Sequence, residues 1–238
     1  MIVQACLNGA RKPDFHPALP LTPDAMTADA VACIRAGAAE LHIHPRGPDL
    51  AESLAAVDAT IAAVRTACPG TLIGVSTGAW IENDVRKTRD CIANWSVRPD
   101  YASVNLSEPD APQVMEVLGS IGVGIEAGLA TVADAERFLA LADHQKVLRI
   151  LIEIEDQERT AAFKVAQDIE SVLAHAGVTR SILLHGFDAT AWDFVRMARQ
   201  QYWSTRIGLE DCRLMPDGSL APGNAALVEA AVAIYRQA

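Results

Sequence analysis

The feature that most constrains the fold of this chain is an alternation repeated eight times: a short apolar run, then a longer segment with helical spacing. The runs predicted as strands are 2–8, 40–44, 71–76, 101–105, 122–126, 148–153, 181–185 and 204–210. The predicted helices follow them in turn, at 27–37, 52–67, 82–95, 111–119, 132–142, 158–175, 189–200 and 223–237. Thr27 is placed to cap the first helix, and Asn224 stands near the start of the last. Eight strand–helix units predict a (β/α)8 TIM barrel, a parallel sheet closed on itself. No linker or shift in composition divides the 238 residues, so one domain over 1–238 is expected. The longest connection, 9–26, is a candidate wall for a site.

Alternation within the strands sorts their residues by face. Val3, Ala5, Leu7, Leu41, Ile43, Ile73, Val75, Ala102, Val104, Val123, Ile125, Ile150, Ile152, Ile182, Leu184, Ile207 and Leu209 share one face and should pack on the helices. The opposite face ends in Asn8, His44, Ser76, Asn105, Glu126, Glu153, His185 and Glu210. Barrel active sites sit at the carboxyl ends of the strands. Ionisable groups gathered there are costly to bury unless they serve a site.

Within this set, "ELHIHPRG" at 40–47 carries His42 and His44 on one strand face, and Glu210 ends the eighth strand on the same face. Two histidines and a carboxylate with open positions suit a catalytic divalent ion, most simply zinc. Two core histidines, each bonded to a neighbour, are the structural alternative. "RIGLED" at 206–211 adds Arg206, four residues before Glu210, and Asp211 beyond it. Such a pair can be structural, or can hold a proton acceptor beside a metal. Ser76, Thr77, Gly78, Ser103 and Asn105 are candidate donors to carboxylate or enolate oxygens. No G-x-S-x-G elbow and no Walker loop occurs.

Composition limits the partners. The net charge is −10 and no basic block appears, so nucleic acid is not expected as a partner. The five cysteines, Cys6, Cys33, Cys68, Cys91 and Cys212, form no C-x-x-C pair, which suits reduced thiols in the cytoplasm. Neither a signal peptide nor a membrane span is expected from the apolar runs.

Four stretches resemble the β-keto acid cleavage enzymes, the family of 3-keto-5-aminohexanoate cleavage enzyme. They are "LPLTPDAMTADAVACIRAGAAELHIHPR" at 19–46, "VSTG" at 75–78, "RPDYASVN" at 98–105 and "TRIGLEDCRLMPDGSLAPGNAALVEAAV" at 205–232. The resemblance implies His42, His44 and Glu210 as ligands of a zinc-like ion. It implies Ser76, Ser103 and Asn105 at the keto acid, Glu126 as a further site carboxylate, and Arg206 with Asp211 as the catalytic pair. It also implies a Claisen-type exchange in which a β-keto acid and acetyl-CoA give acetoacetate and a new acyl-CoA. Homo-oligomers, commonly tetramers, are usual in such a family. Asn8, at the first strand's inward end, joins the expected substrate-binding set.

Three loops depart from the family pattern. Gly47 follows "HPR" where an acidic residue is usual, and "IEIEDQERTAAF" and "GFDATAW" differ on the side expected to face CoA. Arg11 falls where the member acting on an amine-bearing substrate carries an acid, so an anionic or strongly polar distal end is expected here. The rival readings are a zinc-dependent barrel hydrolase and a non-catalytic metabolite-binding barrel. The hydrolase would call on further inward histidines, of which the sequence offers only His185.

Overall fold

The computed structural model describes residues 1–236. The strands are β1 (Val3–Cys6), β2 (Glu40–Ile43), β3 (Leu72–Ser76), β4 (Tyr101–Asn105), β5 (Gly124–Leu129), β6 (Arg149–Ile154), β7 (Ile182–Gly186) and β8 (Ser204–Ile207). The helices are α1 (Pro23–Ala36), α2 (Val57–Ala67), α3 (Val85–Ala93), α4 (Ala111–Ser120), α5 (Val132–Leu139), α6 (Arg159–His175), α7 (Ala191–Gln200) and α8 (Asn224–Arg236). Each strand is parallel to the next, and β1 pairs with both β2 and β8, closing the barrel predicted from the alternation.

The apolar face lies as expected between sheet and helices. Ala5, Leu41, Ile43, Ile73, Val75, Ala102, Ile150, Ile152, Leu184 and Ile207 are fully buried against Met26, Ile61, Ile92, Leu118, Phe138, Phe194 and Leu227 of the helices. The barrel lumen is different. TIM barrels usually fill it with branched aliphatic layers. Here Gln4, Glu40, Tyr101, Glu126 and Arg149 occupy its lower part, all buried. Arg149 donates to both Glu40 and Glu126, Gln4 Nε2 donates to the Tyr101 hydroxyl at 2.8 Å, and that hydroxyl donates to the Leu41 carbonyl at 2.8 Å.

Several local expectations are corrected. Thr22, not Thr27, caps α1: its hydroxyl accepts from the Ala25 amide at 3.2 Å, and Pro23 opens the first turn. Proline suits that place because its missing N–H has no helical partner there. Thr27 instead donates to the Pro23 carbonyl at 2.8 Å. α2 starts later than predicted, after a 3-10 turn at Leu54–Ala56, and α3 starts after Asp84, which accepts from the Arg86 and Lys87 amides. β8 stops at Ile207, because the chain turns at Gly208, whose carbonyl accepts from the Asp211 and Cys212 amides. Glu210 therefore lies past the strand, as Asn8 and His44 do past β1 and β2. The last helix begins at Asn224, and position 237 of its predicted span lies outside the described residues.

The displacement of β5 matters most. The strand runs on to Leu129 rather than ending at residue 126, so Glu126 sits mid-strand beside Ser103 and Arg149. The inward position at the carboxyl end falls to Gly128, opposite Asn105.

Candidate functional site

A cavity of about 470 Å³ opens at the carboxyl end of the barrel. Its walls include His42, His44, Ser76, Ser103, Asn105, Arg206 and Glu210, all singled out by sequence. Arg11 lines it from the β1–α1 loop. Trp80, Glu153, Glu155, Gln157, Phe187 and Asp188 complete the rim.

His42, His44 and Glu210 converge. The two Nε2 atoms are 3.2 Å apart, and Glu210 Oε1 lies 3.4 Å from His44 Nε2 and 3.8 Å from His42 Nε2. Among the described residues these three form a group whose donor atoms all lie within 4.8 Å of one another. Donors about 2.0–2.2 Å from a tetrahedral ion lie about 3.4 Å from each other, so this spacing fits a zinc-sized cation. The charges fit as well. Glu210 Oε2 is buried and has no hydrogen-bond partner. Burial disfavours ionisation of Glu210, but Arg206, His44 and His42 outweigh it and hold the carboxyl well below its usual range. His42 is pushed down to about 3 by burial, with Arg206 and His44 adding to the effect and Glu210 opposing it. Burial also opposes a charge on His44, yet Glu210 and Glu52 prevail and raise it to about 9. The carboxylates thus draw a positive charge to the point where the three donors meet. A divalent ion would displace the proton held there.

The surrounding chain fixes these three side chains. Asn8 is fully buried and clamps the His44 main chain, so it does not line the cavity. Gly9 has φ +53, and an added Cβ would lie 2.4 Å from Glu210 Cγ, so glycine allows the β1–α1 loop to touch that side chain. Arg46 donates to the carbonyls of Gly9 at 2.7 Å, Arg11 at 2.9 Å and Leu50 at 2.8 Å, tying that loop to the one after β2. Arg206 Nη2 donates to Glu210 Oε1 at 2.7 Å and Asp211 Oδ1 at 3.0 Å. Burial opposes its charge, but Asp211 and Glu210 hold it protonated. Asp211 lies behind Arg206, fully buried, with Oδ2 unpartnered and Oδ1 3.3 Å from His185 Nδ1.

Other expected residues take different places. Thr77 bonds the Ser103 carbonyl through its hydroxyl at 2.8 Å and joins the edges of β3 and β4. Gly78 lies beneath the Trp80 ring. Glu126 is below the cavity, in the Arg149 network. Arg11 braces the segment after β8: Nε donates to the Glu210 carbonyl at 2.9 Å and Nη2 to the Asp211 carbonyl at 3.2 Å. The same Nη2 meets Asp188 at 3.0 Å and 3.1 Å. His185 sits between Asp211 and Glu153 and does not belong to the cluster of His42, His44 and Glu210.

Sequence reasoning missed Glu52 and Trp80. Glu52 accepts from His44 Nδ1 with one oxygen and from Trp80 Nε1, at 2.9 Å, with the other. The only local signal for Glu52 is an acid in the loop after H-x-H, displaced from the position held by Gly47.

Residues 1–166 and 160–238 match the model of the β-keto acid cleavage enzyme family. The chain belongs to that family. Among solved structures, apo ObcA is similar with a TM-score of 0.73 at 18% identity, over 90% of this chain and 61% of that one. ObcA has also been solved with oxaloacetate. Its ternary complex with a C4-CoA adduct and oxalate matches at a TM-score of 0.72, 18% identity, 90% of this chain and 62% of that one. The 3-dehydroquinate dehydratase from Geobacillus kaustophilus HTA426 matches at a TM-score of 0.64 and 10% identity, over 98% of this chain and 89% of that one. At these identities the likeness is one of fold. This family member spans about three-fifths of the length of ObcA. No helix among the described residues is long and apolar enough to cross a membrane.

Proposed function

We propose that this chain is a zinc-dependent β-keto acid cleavage enzyme that exchanges a β-keto acid with acetyl-CoA, giving acetoacetate and a new acyl-CoA. The observation that carries this reading is the convergence of His42, His44 and Glu210 on one wall of a cavity whose other walls hold Ser76, Ser103, Asn105 and Arg206. The family match and the oxaloacetate and CoA-adduct complexes of ObcA support it.

His42, His44 and Glu210 would hold the ion, which when bound polarises the β-keto oxygen and acidifies the carbon between the two carbonyls. Ser76, Ser103 and Asn105, on adjacent strands β3 and β4, would hold the keto acid's carboxylate by hydrogen bonds. Arg206 adds a fixed positive charge to the cavity wall, where negative charge develops on the substrate. Asp211, buried behind Arg206 and outside the cavity lining, would assist deprotonation of the acidified carbon through the guanidinium it contacts and holds in place. Asn8 and Thr77 act on the main chain beneath the site. Glu126 would act at a distance, through the lumen network.

The open mouth between Trp80, Phe187 and Asp188 is where the CoA thioester would enter. Arg11 favours a polar or anionic distal end, in competition with Asp188. Five free cysteines, four of them buried, support a reducing cytoplasmic setting. We further infer that the chain works as one domain and as a homo-oligomer.

The hydrolase reading has less support, because His185 is held between two carboxylates away from the cluster. The test is incubation of the zinc-loaded protein with acetyl-CoA and a panel of β-keto acids, following acetoacetate and acyl-CoA. Acetoacetate formed in proportion to acyl-CoA is expected. Hydrolysis of the panel without CoA-ester formation overturns the proposal.

A further inference from the structure

Glu52 is the carboxylate most fully committed at the site. Its side chain is 10% exposed, and each oxygen has a strong donor: His44 Nδ1 on one, Trp80 Nε1 on the other. The loop that carries it is built to return to the barrel. Arg46 forms an antiparallel bridge with Glu52, the Gly47 amide donates to the Ala51 carbonyl at 2.8 Å, and the Ser53 amide donates to the Pro45 carbonyl at 2.9 Å. Trp80 is seated on Gly78, where an added Cβ would lie 2.2 Å from the indole ring. The other face of the indole is open: the residue is 48% exposed and forms part of the cavity rim.

An imidazole binds a metal only through an unprotonated nitrogen, and the bond made by the other nitrogen decides which one that is. A carboxylate on Nδ1 keeps the proton there and leaves the Nε2 lone pair aimed at the ligand cluster. A carboxylate with a free oxygen can rotate, whereas one gripped by an indole N–H cannot. We propose that Glu52 and Trp80 are a positioning pair for His44: Glu52 fixes its ring and tautomer for metal binding, and Trp80 fixes Glu52 while forming the rim of the cavity. The inference rests on the reading that His42, His44 and Glu210 hold a divalent ion. It adds that the rim and the metal centre are one hydrogen-bonded unit, so a change at the mouth reaches the ion.

The test is a zinc titration by chelator competition on metal-free wild type, Glu52→Gln, Glu52→Ala and Trp80→Phe. Loss of a carboxylate behind a metal-bound histidine lowers affinity by about 10- to 100-fold, and that loss is expected for both Glu52 variants. Trp80→Phe keeps the ring and loses the donor, so a smaller loss is expected. The indole N–H resonance of Trp80, assigned by its disappearance in Trp80→Phe, should move on zinc addition to wild type and stay still in Glu52→Gln. A residue that merely stabilises the loop would change the melting temperature and leave that resonance indifferent to zinc. Wild-type zinc affinity in folded Glu52→Gln overturns the proposal, as does a Trp80 resonance that ignores zinc in wild type. If Glu52→Ala does not fold, Glu52→Gln, Trp80→Phe and the resonance still decide. Failure of wild type to take up zinc overturns it as well. Zinc uptake without acetoacetate formation overturns the function proposed above and leaves this pairing standing.

Discussion

Asn8 holds the main chain of His44 from both sides: its Nδ2 donates to the His44 carbonyl at 2.9 Å, and its Oδ1 accepts from the His44 amide at 3.0 Å. One side chain on the β1 exit thus does for the β2 exit what a ladder would have done had the strand continued. Asn8→Ala leaves a buried N–H and a buried C=O without partners, a loss of about 2–4 kcal/mol. The expected outcome is a lower denaturation midpoint together with weaker zinc retention. A variant that loses stability yet keeps zinc would show that the clamp serves the fold and not the ligand.

The lumen network predicts a large effect far from the cavity. Arg149 is the shared cation for Glu40 and Glu126, and all three are buried. Arg149→Met leaves two carboxylates facing each other in the barrel, at a cost of about 3–5 kcal/mol. Urea denaturation should register that loss. Zinc affinity of the variant that remains folded should match wild type, since no member of the network belongs to the ligand cluster.

Arg11 and Asp188 predict a shift in substrate preference. Asp188 now holds the Arg11 Nη2 group. Asp188→Asn frees the guanidinium, and the ratio of kcat/KM for dicarboxylic over neutral β-keto acids should rise by about tenfold, the scale of one charge-assisted hydrogen bond. Arg11→Ala should lower the same ratio. An unchanged ratio in both variants removes Arg11 from any account of specificity.

A pH effect on stability is expected from Asp29. It lies on α1, and its Oδ2 accepts from Asn224 Nδ2 at 2.6 Å. Burial raises its pKa from 3.8 to about 6, with the Asn224 bond opposing the rise. The folded protein therefore holds this proton more tightly than the unfolded chain. The stability it contributes is fully present below about pH 4 and is lost as pH climbs through about 6, up to about 3 kcal/mol in all. Asp29→Asn should flatten that part of the profile. Denaturation midpoints of wild type and variant, compared at pH 4.5 and pH 7.5 (about 1.5 pH units below and above the titration midpoint), provide the check.

The outer layer of the barrel was legible in the sequence because one rule governs it. Every second strand residue must meet a helix, and runs such as Ile150–Ile152 or Leu41–Ile43 write that rule plainly. The convergence of His42, His44 and Glu210 was legible for a related reason: H-x-H on one strand and Glu210 after another are both tied to strand ends. β5 was misplaced because "GVGIEAGL" has no polar stop, and glycines at 122, 124 and 128 blur its limits. That error carried Glu126 to the cavity, when the strand in fact holds it two residues deeper. Glu52 and Asn8 were harder. Their partner is His44 in both cases, and a loop that folds back on itself or a side chain that replaces a ladder leaves no period to read. Asp188 was invisible for the same reason, since its partner Arg11 lies at the other end of the chain.

The closure of β1 against β8 has a consequence for how the molecule holds together. His42 and His44 come from the first quarter of the chain and Glu210 from its last eighth, and β1 is the single strand between them in the cylinder. An ion shared by these residues would straddle the seam where the sheet is sewn shut. It would bind the closed cylinder and find no comparable partner in the open chain, so each bound ion would shift the balance toward closure. Helices α1 and α8 pack together over the same seam. On the proposed reading, metal loading would fasten the two ends as well as serve the chemistry of the mouth: stripping the ion should loosen the first and last strands before the middle of the sheet, and amide exchange in β1 and β8 is where that loosening would be seen.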